Sequence, residues 1–239
     1  MAFEPFMQLL RGIQGRRAQG IGGIQNSHQM AYLRHLQKEI NKEDAMHVPL
    51  NGLNVVVFDI ETTGFSPEKG DSILSIGAIK MCGAKMLEEQ EFYSLIQYDK
   101  EIPPNIVQLT GITNEQVSTA PPLADILIKF FEFIGDSTLV AHHATHERTF
   151  MQFASAKLFK TSFKHRIVDT SFLYKIVEPH FQNVALERLC EHNGIPIVDR
   201  HNALGDAKMT AMLWSIYLEK SLKIGCETLN DVYNYFARM

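Results

Sequence analysis

Apolar and polar positions change period several times along the chain, and each change predicts an element. Residues 53–58 form a β-branched apolar run, Val55-Val56-Val57-Phe58 at its centre, which predicts a buried strand. Residues 72–82 and 86–98 predict two more strands, joined by a turn at Gly83-Ala84 in hairpin fashion. Ile102-Pro103-Pro104 breaks the pattern. A short helix over 105–109 follows, then a turn at Thr110-Gly111-Ile112-Thr113 that caps the next helix, with Glu115 and Gln116 in its first turn. Pro121-Pro122 opens a helix through residue 133 with Leu123, Ile126, Leu127, Phe130 and Ile134 as its apolar stripe. Beyond it the pattern predicts a strand at 137–141, a helix at 145–160, a strand at 166–168 and a helix starting after Asp169-Thr170. A helix at 183–192 is stopped by Asn193-Gly194 and Pro196. Residues 203–220 predict a long helix and 228–238 a last one. Three strands first, then strands alternating with helices, place the chain in the α/β class. The expected sheet is mixed, an antiparallel meander plus parallel strands, flanked by helices. Ligands on such sheets sit beyond the carboxyl ends of the parallel strands.

The first fifty residues differ in character. Gly12, Gly15, Gly20, Gly22 and Gly23 interrupt one segment, and 28–43 then reads as an amphipathic helix with Met30, Leu33, Leu36 and Ile40 on one face. Arg11, Arg16, Arg17 and Arg34 make this arm basic. It either packs on the domain's own surface, binds a protein partner, or grips a phosphate backbone. The expected organisation is a basic helical extension over 1–50, a catalytic-sized domain over 51–222 and a helical tail over 223–239.

Charge and cysteine content narrow the picture. Against 23 Lys and Arg stand 27 Asp and Glu, a formal net charge of −4. That is not the basic coat of a non-specific nucleic-acid binder, although an enzyme that grips a chain end through cations needs only a local positive site. Three cysteines without CxxC spacing argue against a disulfide framework or a zinc site and for a reducing compartment. Glu4 and Arg11 interrupt the start, so no signal peptide is expected, and no run is long enough to span a bilayer. The expectation is a cytoplasmic protein with no membrane partner.

Two stretches carry candidate chemistry. Asp59 and Glu61 follow the first apolar run at i and i+2, so on an extended chain they project to the same face. Like charges side by side are unfavourable unless a positive charge lies between them, and a hard divalent cation is the natural candidate. Thr62-Thr63-Gly64 then supplies a sharp exit. The second stretch, His201-Asn202-Ala203-Leu204-Gly205-Asp206-Ala207, puts a histidine on a loop and an acid in the first turns of the long helix. Ala207 and Ala211, one turn apart, let that helix lie close to a neighbour. Asp206 is expected against Asp59 and Glu61, with His201 above them as a general base.

At this point the chain resembles the DEDDh (DnaQ-like) 3'→5' exonucleases, a family that includes the epsilon proofreading subunit of bacterial DNA polymerase III, ribonuclease T and oligoribonuclease. Asp59 to Gly64 resembles their first motif and His201 to Ala207 their third. Leu109 to Thr113 resembles the loop that contacts the terminal nucleotide, Leu139 to His142 the strand into the second motif, and Val168-Asp169-Thr170 a structural landmark. The likeness spans about residues 53–220. The second motif departs from the usual His-Asn-Ala-x-Phe-Asp, reading His142-His143-Ala144-Thr145-His146-Glu147. The resemblance implies a ribonuclease H-like fold and hydrolysis of terminal phosphodiesters of single-stranded DNA or RNA, with release of nucleoside 5'-monophosphates. It implies two Mg²⁺ or Mn²⁺ ions held by Asp59, Glu61, Glu147 and Asp206, with His201 as base. It implies substrate contacts from Thr62, Thr63, Gly64, Phe65, Thr110, Gly111, Ile112, His142 and His146. The partner is a nucleic-acid 3' end; a polymerase or other protein could dock on 1–50, and oligoribonuclease-like members form homodimers. Because Glu147 stands where Asp is usual, a detuned or inactive relative serving as a polymerase-associated or regulatory binding subunit is the alternative. A hydrolase of dinucleotides is a third.

Overall fold

The computed structural model describes residues 44–239. The amphipathic helix expected at 28–43 and the basic arm lie outside the described residues. Five strands form one sheet: β1 (Asn54–Thr62), β2 (Ile73–Cys82), β3 (Lys85–Leu95), β4 (Thr138–Ala141) and β5 (Ile167–Asp169). Their spatial order is β3-β2-β1-β4-β5. The β1–β2 and β2–β3 pairs are antiparallel, and β1–β4 and β4–β5 are parallel. This is the mixed α/β sheet that the pattern predicts. Helices α1 (Pro104–Thr110), α2 (Asn114–Ser118) and α3 (Leu123–Ile134) lie between β3 and β4, α4 (Thr145–Phe159) lies between β4 and β5, and α5 (Ser171–Val177), α6 (Leu186–Asn193), α7 (Ala203–Lys223) and α8 (Leu229–Phe236) follow β5.

The strand period sorts the core onto two faces. Val55, Val57, Ile79, Met81, Val140 and Val168 point to the face covered by α5, α6, α7 and α8. Val56, Phe58, Ile60, Ile76, Ala78, Leu139 and Ile167 point to the face covered by α3 and α4. Helices on both sides explain why β1 reads as a continuous apolar run rather than an alternating one. Trp214 of α7 is fully buried, and its indole N–H donates to the Gly83 carbonyl at the hairpin turn, 3.3 Å away. The last helix seats Leu229 and Val232 in the α7-side core, and Phe172 of α5 meets Tyr233 and Phe236 ring to ring.

The structure differs from the pattern in one place that matters. The apolar run ends at Phe58, but β1 continues to Thr62 because β2 pairs with it throughout: Asp59 opposite Gly77 and Glu61 opposite Ser75. The two carboxylates therefore lie inside a paired strand, on the α7 face that Val55 and Val57 begin. The helix expected at 183–192 starts three residues later, at Leu186, after an extended Ala185.

Candidate active site

Three elements converge at the carboxyl end of β1. The strand supplies Asp59 and Glu61. Helix α7 supplies Asp206 from its first turn. Helix α4 supplies Glu147 from its first turn. One glycine decides whether α7 can arrive. Gly77, opposite Asp59 on β2, has no side chain, and a Cβ there would sit 2.1 Å from the Leu204 amide nitrogen and 2.2 Å from the Ala203 carbonyl carbon. The start of α7 therefore lies directly on the sheet, which carries Asp206 to the strand carboxylates. Asn202 caps that start, its Oδ1 accepting from the Leu204 and Gly205 amides at 3.1 and 3.2 Å. A glycine within a strand pattern signals such close backbone approach, and this was the available cue for Gly77.

One carboxyl oxygen from each of Asp59, Glu61 and Asp206 lies within 4.8 Å of the other two. Ligand distances of about 2.0–2.6 Å to a hard cation place two oxygens across one ion about 4–5 Å apart, so this spacing fits. Glu147 lies outside that triple, yet its charge is the largest electrostatic influence on Asp59. It is buried, and among the described residues its Oε2 has no hydrogen-bond partner; neither has Oδ1 of Asp206. Burial pushes Asp59 well above the usual carboxylate range, with Glu147, Glu61 and Asp206 adding to the effect. Burial likewise pushes Glu61 and Glu147 up to about 8 and Asp206 up to about 6. Against these four acids, two of them with an orphaned oxygen, stands the single guanidinium of Arg200 on Asp206, and an oxygen-ligated divalent cation is the group that their remaining negative charge fits.

The remaining predicted residues divide by task. Thr62 Oγ1 donates to the Gly64 carbonyl at 2.7 Å and meets His146 Nε2 at 3.3 Å. Thr63 Oγ1 accepts from the Ser72 amide at 3.0 Å, and Asp71 accepts from the Ser66 amide at 2.9 Å. A Cβ on Gly64 would strike the Asp71 carboxylate at 2.4 Å. Thr63, Gly64 and Asp71 thus build the loop, and the loop holds Phe65 out in solvent, 85% exposed and edge-on to His146. Thr110 closes α1 by donating to the Ile106 carbonyl, Gly111 takes the left-handed cap at φ 70°, and Ile112 is buried with Leu74, Ile102 and Val117. His142 is spoken for on both ring nitrogens, by Thr170 Oγ1 and by the Val184 carbonyl, each at 2.9 Å. Burial and the neighbouring His143 push it down to about 4, so it is neutral. His201 sits on a turn with φ 62°, and burial and Arg200 lower its imidazole from the usual value.

Two pairings escaped the sequence pattern. Asp169 accepts from the Ala144 and Ser171 amides, both at 2.8 Å, so it ties the start of α4 to β5 and fixes Glu147. Arg200 donates to Asp206 Oδ2 and, at 2.7 Å, to Glu187 Oε1. The Ala144 and Glu187 partners have no local signature, because each comes from another element.

Residues 56–214 match the RNase_T exonuclease family. The chain is 36% identical over 182 residues to the DNA polymerase III PolC-type of Clostridium perfringens, covering 74% of this chain and 12% of the polymerase. The Bacillus subtilis PolC-type polymerase is 34% identical over 185 residues, covering 77% and 12%. The chain therefore spans about an eighth of those relatives. Among solved structures, the nuclease domain of 3'hExo, a DEDDh family member bound to rAMP, superposes with a TM-score of 0.62 at 19% identity, over 73% of this chain and 94% of that one. Exonuclease X in complex with 5' overhanging duplex DNA gives 0.56 at 19% identity, over 75% and 99%. These two share the fold. Among the described residues, no helix is long and apolar enough to cross a membrane. With its matched span running from β1 to Trp214 and its carboxylates gathered where β1, α4 and α7 meet, the chain belongs to the RNase_T family of exonucleases, the DnaQ-like 3'→5' type that its motifs resemble.

Proposed function

We propose that this chain hydrolyses the terminal phosphodiester at a nucleic-acid 3' end, releasing nucleoside 5'-monophosphates. The observation that carries this reading is the meeting of one oxygen each from Asp59, Glu61 and Asp206 within 4.8 Å, with the Arg200 guanidinium as the one cation paired to them among the described residues. Asp59, Glu61, Asp206 and Glu147 would hold two divalent cations, Mg²⁺ or Mn²⁺. When bound, such ions activate water and stabilise the leaving oxygen of an in-line displacement. His201, kept neutral by burial and by Arg200, accepts the proton of the attacking water through its imidazole. Phe65 and His146 form an aromatic step at the rim on which a terminal base stacks, a grip tolerant of sequence. Thr110, Gly111 and Ile112 support the sugar side through backbone contacts. The chain acts in the cytoplasm, a reading supported by its unpaired Cys82, Cys190 and Cys226. Any polymerase partner is proposed to engage residues 1–50.

Glu147 does not call for an inactive reading. Its carboxylate is enclosed, keeps one oxygen unpartnered and falls in the field of Asp59, as a ligand requires. The test is degradation of 5'-labelled single-stranded DNA and matched RNA with Mn²⁺, with Mg²⁺ and with EDTA, beside Asp59→Ala. The expected result is metal-dependent shortening from the 3' end that Asp59→Ala abolishes. Full-length substrate under every condition, from folded protein, would overturn the proposal.

A further inference from the structure

Arg200 is placed where the charge of this site is decided. Its Nη1 donates to Asp206 Oδ2 and its Nε to Glu187 Oε1 at 2.7 Å. Glu187, in the first turn of α6, stands outside the carboxylate triple, so it anchors the guanidinium rather than joining the site. Asp206 is thereby divided. Oδ2 belongs to Arg200, and Oδ1 is buried and unpartnered. The turn that presents Arg200 is strained on both sides, with Asp199 at φ 51° and His201 at φ 62°. It is clamped against the start of α7, where a Cβ on Gly205 would lie 2.3 Å from the Asp199 carbonyl oxygen. Strain of this kind persists only where the surroundings over-determine it, and it clusters at functional sites.

We propose that Arg200 is a positioning residue that shares Asp206 with the metal: held by Glu187, it leaves Asp206 one free oxygen and acts as a resident counter-charge that weakens cation uptake by the substrate-free protein. The inference rests on the metal-dependent reading above. A carboxylate can chelate one cation with both oxygens or give one oxygen to each of two positive partners. With Arg200 on Oδ2 and Oδ1 without a partner among the described residues, Asp206 is set up for the second arrangement. A guanidinium beside a dication also repels it at close range, where the burial of Asp206 and the partial burial of Arg200 weaken screening by water. A substrate phosphate relieves that repulsion, so cation uptake is coupled to the arrival of the nucleic acid.

The test titrates the intact protein with Mn²⁺ alone, following free Mn²⁺ by electron paramagnetic resonance, for wild type, Arg200→Gln, Glu187→Gln and Asp59→Ala. Turnover is measured on the same preparations. Arg200→Gln is expected to bind Mn²⁺ about tenfold more tightly while its kcat falls, within the 10–100-fold range of partners that orient metal ligands. Glu187→Gln, which only unties the anchor, should move both quantities the same way by less, and it carries the test if Arg200→Gln does not fold. Tighter metal with slower turnover is a pair of signs that general loosening of the site does not produce. Unchanged or weaker Mn²⁺ binding in both variants would overturn the inference and leave the nuclease reading standing. Wild type that binds no Mn²⁺ in an Asp59-dependent way would overturn both.

Discussion

Gly77→Ala offers a sharp test of how the site is assembled, because the substituted atom touches no substrate and no proposed ligand. The added Cβ would lie 2.1 Å from the Leu204 nitrogen, 2.2 Å from the Ala203 carbonyl carbon and 2.5 Å from its oxygen. All three are backbone atoms, so no side chain can rotate away. Ordinary contact begins near 3.5 Å, so the first turn of α7 must retreat by about 1.4 Å, or β2 must bulge by as much. Asp206 rides on that turn, its amide bonded to the Asn202 carbonyl at 2.9 Å, and would leave Asp59 and Glu61 with it. Catalytic groups tolerate about 0.5 Å of displacement, and about 1 Å costs on the order of 100-fold in rate. Overpacking adds about 1–3 kcal/mol of destabilisation. The assay is mononucleotide release from a labelled oligonucleotide, with Mn²⁺ affinity and the urea midpoint measured on the same protein. Expected are a roughly 100-fold lower kcat, weaker Mn²⁺ binding and a lower midpoint in a chain that still folds. Gly52→Ala is the control, since its Cβ would meet nothing within 4 Å. Gly77→Ala with turnover within threefold of wild type and unchanged metal affinity would refute the close-approach argument.

Other outcomes follow from the same geometry. Glu147→Gln should lower kcat about 100-fold by removing a charge from the metal site, while Glu147→Asp should stay within about tenfold of wild type, as single-turnover rates at saturating Mn²⁺ would show. The acid limb of the kcat/KM profile should fall below 6.5, the ordinary imidazole value, because burial and Arg200 lower His201 and it remains neutral, and able to accept a proton, to lower pH. A limb centred above 6.5 would remove His201 from that role. Glu178 provides a stability test away from the site. Burial opposes its charge, but hydrogen bonds from Lys220 and Tyr217 outweigh it and hold the carboxyl below the ordinary 4.5. A depressed acid stabilises the fold above its unfolded value and loses that contribution as pH falls through the folded one. Glu178→Gln should therefore cost about 1–2 kcal/mol at pH 7 and little near pH 3, read from denaturant midpoints.

Much of this molecule was legible along the chain. The apolar run before Asp59, the i and i+2 spacing of Asp59 and Glu61, the Gly83-Ala84 hairpin and the place of Asp206 in the first turns of α7 are local features, set by side-chain period and turn chemistry within a few residues. The placement of Asp206 beside Asp59 was an expectation that local pattern could raise but not secure. What secured it is Gly77, three strands of chain away from Asp206 in sequence order and in contact with the same turn in space. The extension of β1 past Phe58 came from pairing with β2, since carboxylates do not form strands by their own preference. Arg200 with Glu187 and Asp169 with the start of α4 each join different elements, partners that local pattern does not pair. The residue types at the site were thus determined by the sequence alone, because chemistry resides in side chains. Their distances, their burial and their crowding of negative charge were decided by strand register and by how closely α7 crosses the sheet, and those exist only once the chain has packed.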